Sequence, residues 1–158
     1  MFRITGKENV KADSSPRKPV ILGHGKFMDS TSWFKSGGGV ENVVPLPLQL
    51  YDAGFDVWLS NARGTKYSLG HDILRTIENN ENFWYWTYAE FAKFDATAQM
   101  KTIKKVTGAE QVSYVGYHWT STAMFMQLAM WEDKMTDLER FVAIDPCLYE
   151  PIKLLPYD

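Results

Sequence analysis

Val112-Ser113-Tyr114-Val115-Gly116-Tyr117-His118-Trp119-Thr120-Ser121-Thr122-Ala123-Met124-Phe125-Met126-Gln127-Leu128-Ala129-Met130-Trp131 is the stretch whose reading decides the fold. Val112, Tyr114 and Val115 favour extended chain, and Gly116 bounds the run, so 112–116 reads as a strand. From Thr120 to Trp131 alanine, methionine, phenylalanine and leucine dominate, which predicts a helix buried on most sides. A strand passing into a helix within a few residues is the unit from which parallel sheets are built.

The same alternation runs outward from it. Before it, Phe91, Phe94, Ala98, Ile103 and Val106 fall at helical spacing, so Tyr88–Val106 reads as an amphipathic helix closed by Gly108. Earlier still, Phe55-Asp56-Val57-Trp58-Leu59 and Pro19-Val20-Ile21-Leu22 read as strands, the latter ending in Gly23-His24-Gly25. Between them a helix is expected to begin at Pro45 or Pro47, since proline belongs in a first turn, and to stop at Gly54. After the opening stretch comes Phe141-Val142-Ala143-Ile144, a fourth strand ended by Asp145-Pro146. Residues 65–83 show no periodicity and predict a long loop. The pattern predicts an α/β domain with a mostly parallel sheet and helices on both faces, over 19–147. A polar N-terminal segment or linker, 1–18, precedes it and a tail, 148–158, follows.

Composition narrows the function. Apolar residues make up 45 % of the 158, enough for one buried core, and the net charge is −2 with both signs mixed along the chain. That balance carries no electrostatic footprint for nucleic acid or an anionic membrane surface. Cys147 is the single cysteine, which rules out an internal disulfide. The N-terminus lacks the apolar run of a secretory signal, and no window approaches the ~20 apolar residues of a membrane span. A soluble protein inside the cell or within an organelle assembly is expected, with no cofactor and no metal.

Ligands of open parallel sheets bind beyond the C-terminal strand ends. The residues there are His24 and Gly25, Ser60–Gly64, Tyr117–Thr120 and Asp145. Around them the chain resembles the acid lipases, the family of gastric and lysosomal lipases, from about Pro19 to Pro146. The resemblance is carried by Pro19–Gly25, by Asp29-Ser30-Thr31-Ser32-Trp33, and by Ala53-Gly54-Phe55-Asp56-Val57-Trp58-Leu59-Ser60-Asn61-Ala62-Arg63-Gly64. Phe83-Trp84 and Tyr88-Ala89-Glu90-Phe91-Ala92-Lys93-Phe94-Asp95 also carry it. It implies an α/β-hydrolase fold, here truncated to the N-terminal half. It also makes His24-Gly25 an oxyanion turn and 116–120 the nucleophile elbow G-x-S-x-G.

In this chain the elbow reads Gly116-Tyr117-His118-Trp119-Thr120. The first glycine is kept, the serine is His118 and the second glycine is Thr120. Imidazole cannot form the ester-linked acyl-enzyme that serine forms, and the triad acid and histidine would lie on later strands than those matched. The expectation is therefore a catalytically inactive, lipase-like domain with a vestigial oxyanion turn. It would act as a structural or interaction subunit, a partner protein covering the strand at 140–144. The alternatives are an ester hydrolase completed by another chain, through Ser121 or His118, and an acyl- or lipid-binding module.

Each residue also has a plainer reading. His118 could be a core plug, a metal ligand or, held by Asp145, a nucleophile. The plainer reading of Asp145 is the Asp-Pro turn it begins. Ser121 should satisfy orphan N–H groups of the helix start. Arg63 should tie the loop after the second strand to a carboxylate or to carbonyls. Phe83, Trp84, Tyr85, Trp86 and Tyr88 form either core or a binding surface.

Overall fold

The computed structural model describes residues 1–6, 16–35, 43–72, 81–130 and 132–148. Among them a five-stranded sheet forms from β1 (Phe2–Arg3), β2 (Pro19–Gly23), β3 (Asp56–Leu59), β4 (Val112–Tyr117) and β5 (Leu138–Ile144). The order is β1-β3-β2-β4-β5, and all pairs are parallel except β1 with β3. The strand at 112 thus lies beside the strand at 19, as the resemblance implies.

Alternation along each strand sends side chains to two cores. Ile21, Trp58, Val112 and Tyr114 meet Phe91, Met100, Ile103 and Met124 on one face. Val20, Leu22, Val57 and Leu59 meet Trp33, Leu50 and Tyr51 on the other. The second face is covered by α1 (Leu46–Asp52), which has Pro45 at its N-cap and Pro47 in its first turn. On the first face a capping box at Thr87 and Glu90 starts α2 (Tyr88–Glu90). The chain then runs through a wider π-helical stretch, Phe91–Ala96, into α3 (Thr97–Thr107), which ends at left-handed Gly108. This wider turn puts Phe91, Ala92 and Ala96 in the core and leaves Asp95 at its rim. The most buried helix on this face, α4 (Trp119–Met130), follows β4 directly. Residues 73–80 of the predicted loop and 149–158 of the tail lie outside the described residues.

The N-terminal segment, read as linker, contributes strand β1. Two residues carry no periodicity, and what holds them is an ion pair across the sheet. Arg3 Nε and Nη2 donate to Asp56 at 2.8 and 3.1 Å, and Trp58 Nε1 donates to the same carboxylate at 2.9 Å. Asp56→Ala leaves three donors without an acceptor. Because the Arg3 side chain is 40 % exposed, water takes up part of the loss, and a fall of about 2 kcal/mol is expected. Denaturation should show that fall, and hydrogen exchange should show the Ile4 amide, now bonded to Val57 O at 3.0 Å, losing protection.

Candidate functional site at the C-terminal edge of the sheet

At the end of β4 the chain turns into α4 through one residue, His118, held at φ 54°. A β-carbon in this left-handed region costs about 1–3 kcal/mol and persists only where the surroundings over-determine it. They do so here. The His118 amide donates to Ile144 O at 2.9 Å and extends the β4–β5 ladder, and the His118 carbonyl accepts from Ser121 N and Thr122 N at 3.0 and 3.2 Å. Gly116 permits the close approach: a β-carbon on it would lie 2.8 Å from Ser121 N. The turn is that of a nucleophile elbow, with imidazole at its apex.

Thr120 occupies the place of the second glycine, and its bulk is accommodated across the strand. A β-carbon on Gly23 would lie 2.8 Å from Thr120 Oγ1 and 2.6 Å from the Tyr114 hydroxyl. The Thr120 hydroxyl accepts from Tyr117 N–H at 3.0 Å and lies within donating distance of His24 O (3.1 Å) and Tyr117 O (3.0 Å). It therefore ties the elbow to the His24-Gly25 turn. That turn closes with Met28 N donating to Gly25 O at 3.2 Å, and Phe27, at φ 58°, projects from it almost fully exposed.

His24 is 2 % exposed and bonded at both ring nitrogens. Ala62 N–H donates to Nε2 at 3.1 Å, so Nδ1 carries the proton, which it donates to Gly25 O at 2.9 Å. Burial holds this imidazole below its ordinary value; the Gly25 carbonyl and the Asp29 charge oppose that shift.

The structure brings His24, Gly25, Tyr117, His118 and Trp119 to one edge of the sheet; of the two readings of Asp145, the contact with His118 does not form. Asp145 adopts φ 47°, which turns the chain outward, and its side chain is exposed. His118 Nδ1 is buried and has no partner among the described residues. Ser121 is also placed differently from the expectation of a helix cap. It is fully buried, and its hydroxyl points at Ile144 O, 3.4 Å away, so it is closed off from any substrate. The Thr120 hydroxyl accepts instead from the last strand amide, Tyr117 N–H.

Beside the elbow lies a cavity of about 440 Å³ lined by Phe27, Met28, Trp84, Trp86, Tyr88 and Trp119, among others. His118 does not line it. Trp119 forms its floor, with its ring edge-on to Phe91 at 4.6 Å and stacked on Tyr88 at 5.8 Å. The aromatic cluster thus divides. Phe83 is core, Trp86 and Tyr88 are partly buried walls, and Trp84 and Tyr85 are exposed at 49 % and 92 %.

The carboxylate that Arg63 meets is Asp95, through Nε at 3.0 Å and Nη2 at 2.5 Å, and the pair raises the guanidinium's affinity for its proton. Lys66 pairs with Asp29 at 3.2 Å, while Thr31, foremost, and Lys66 hold the Asp29 carboxyl at about 2. Sequence reasoning missed Asp95, Asp29 and the cavity. Spacing marks Asp95 only as a polar residue on an amphipathic helix, and the two anchored loops come together only in the folded chain. No group of three or more metal-ligating side chains gathers among the described residues.

A mostly parallel sheet in which strand β4 ends in a strained strand-to-helix turn, facing a His-Gly turn on the neighbouring strand, defines the α/β-hydrolase class. Within it the chain belongs to the acid-lipase family. Human lysosomal acid lipase/cholesteryl ester hydrolase is 35 % identical to it over 143 residues, 89 % of this chain and 34 % of that protein. Lipase lipl-5 of Caenorhabditis elegans is 34 % identical over 153 residues, 92 % of this chain and 35 % of its own length. Triacylglycerol lipase 2 of Arabidopsis thaliana is 36 % identical over 108 residues, 68 % of this chain and 24 % of its own. The chain spans about a third of the length of the first two. No family model matches it. No helix among the described residues is long and apolar enough to cross a membrane.

Proposed function

We propose that this is a lipase-like α/β-hydrolase domain without ester-hydrolysing chemistry, working as a structural or interaction subunit of an intracellular assembly. One observation carries the reading: imidazole stands at the strained apex where the fold presents its nucleophile. A histidine nucleophile needs a group that orients its ring, and the buried Nδ1 of His118 has none among the described residues. Ser121, the nearest alternative hydroxyl, is sealed in the helix. The interaction role is supported by β5. Among the described residues it pairs with β4 alone, and it leaves Val142 51 % exposed on one face while Phe141 packs against Phe125 on the other. An apolar edge of this kind is an aggregation hazard unless covered, and a partner polypeptide would cover it.

The test is hydrolysis of a short acyl ester by the wild type and by His118→Ser. Neither is expected to turn over. Turnover by the wild type overturns the reading. Turnover by His118→Ser would show that the rest of an active site is intact and that residue 118 alone withholds the chemistry. A monodisperse monomer with no partner in a native pull-down would remove the subunit role.

The cavity beside Trp119 supports a second reading, an acyl- or lipid-binding module. Its volume and aromatic walls fall within the range of small-molecule sites. Mass spectrometry of lipid released from the purified protein distinguishes it from the first.

A further inference from the structure

We infer that His24 is an acid-sensitive latch: its protonation releases the Ala62–Lys66 turn from the His24-Gly25 turn and widens the cavity between them. The inference is independent of whether residue 118 does chemistry. Its geometry is a single shared hydrogen. The latch is shut only while Nε2 holds a lone pair for Ala62 N–H, 3.1 Å away, because Nδ1–H is already committed to Gly25 O at 2.9 Å. A second proton would set two donors face to face. It would also leave an imidazolium, 2 % exposed, with no acceptor on that side. Both partners are cavity walls, His24 on one side and Ala62 and Arg63 on the other.

The charged groups around the ring decide whether release stays local. On its own turn the Asp29 charge favours the proton; Lys26 on that turn and Arg63 and Lys66 on the facing turn are the cations that line the same cavity. Trp119 and Thr120, which α4 presents, do not titrate, while Tyr88 stacks on Trp119 and the Glu90 carboxylate is bonded to Thr87. The opposite ends of the released turn are held by bonds that acid does not break in the same range. Lys66 is paired with an Asp29 carboxylate that stays ionised down to about 2. Asn61 exchanges hydrogen bonds with Ser30 at 3.0 and 3.1 Å. Loss of the Ala62 bond is therefore a hinge opening between fixed ends.

The sign follows from the bonded, buried ring binding its proton less readily than a solvated one. The shut turn has its full stability above about 6.5, the value of a solvated histidine, and loses it as pH falls below that point. The open population rises by about tenfold per pH unit until the shut form itself protonates.

Hydrogen exchange on the full-length protein tests this, read by NMR at pH 7.5 and 5 and corrected for intrinsic rates. The Ala62 amide is expected to lose about tenfold or more of its protection at the lower pH, while the core amide of Ile21 keeps its own. In His24→Gln, whose side-chain oxygen can accept from Ala62 N–H without titrating, the pH dependence should vanish. If that variant does not fold, the wild-type His24 ring resonances should titrate at the same midpoint as the Ala62 loss. A pH-independent Ala62 amide, an equal loss at Ile21, or a midpoint unrelated to His24 would each overturn the latch.

Discussion

Gly116→Ala should cost about 3 kcal/mol of folding stability, read as a lower urea midpoint at unchanged slope. The new β-carbon would sit 2.8 Å from Ser121 N and Oγ and 2.9 Å from Ser121 Cα. Two of those atoms are helix backbone and cannot swing aside, so α4 must move off β4 as a unit. The displacement would also strain the His118 turn, whose carbonyl is bonded to the Ser121 and Thr122 amides. Gly108→Ala is the internal control. That residue is left-handed at φ 73° but has nothing within 4 Å of its would-be β-carbon, so only the conformational cost of about 1 kcal/mol applies. If Gly116→Ala costs no more than Gly108→Ala, the close strand-to-helix approach is not what holds the elbow.

The same comparison explains why the fold was readable in the sequence and the site only partly. Strands β2 to β5 and helices α1, α3 and α4 announce themselves through apolar runs, helical spacing, Pro45, Pro47 and Gly108, because burial selects those residues locally. The turn at 116–120 was placed by the resemblance to the acid lipases, which sets Gly116 at the first glycine of the elbow motif and His118 at its apex. What the sequence could not reveal depends on distant pairing. Asp95 is a surface-helix carboxylate until Arg63 arrives from a loop 32 residues away. Thr120 looks like the loss of a glycine until Gly23 is found opposite, making room for its hydroxyl to join two turns. Whether Asp145 meets His118 or only begins a turn was open in the sequence, because spacing places both at strand ends without specifying the left-handed backbone that turns Asp145 away. Strand β1 was invisible because the Asp56 carboxylate, not its own pattern, holds it.

Trp119→Ala is expected to destabilise by about 4 kcal/mol, a fall in Tm of roughly 10 °C for a chain of this size. The indole is 5 % exposed and lies in the middle of an aromatic group formed by His24, Trp86, Tyr88 and Phe91, with centroids 4.6 to 6.4 Å from its own. Truncating it removes those contacts together. Backbone relaxation can recover little, because α4 is fixed at Gly116 and Thr120 on either side of the turn. The expected loss sits near the top of the range for aromatic truncations for that reason. Trp119→Phe, which keeps a ring over Phe91, should recover more than half of it. The substitution also bears on function. Trp119 floors the cavity and stands next to His118, so removing it extends the cavity toward the elbow. If the cavity binds acyl chains, Trp119→Ala should bind a longer chain more tightly than the wild type even as the fold weakens, whereas purely structural packing would lose stability with no gain in ligand. A loss under about 1 kcal/mol would mean that the indole is not part of the core, and the separation of His118 from the cavity would need another cause.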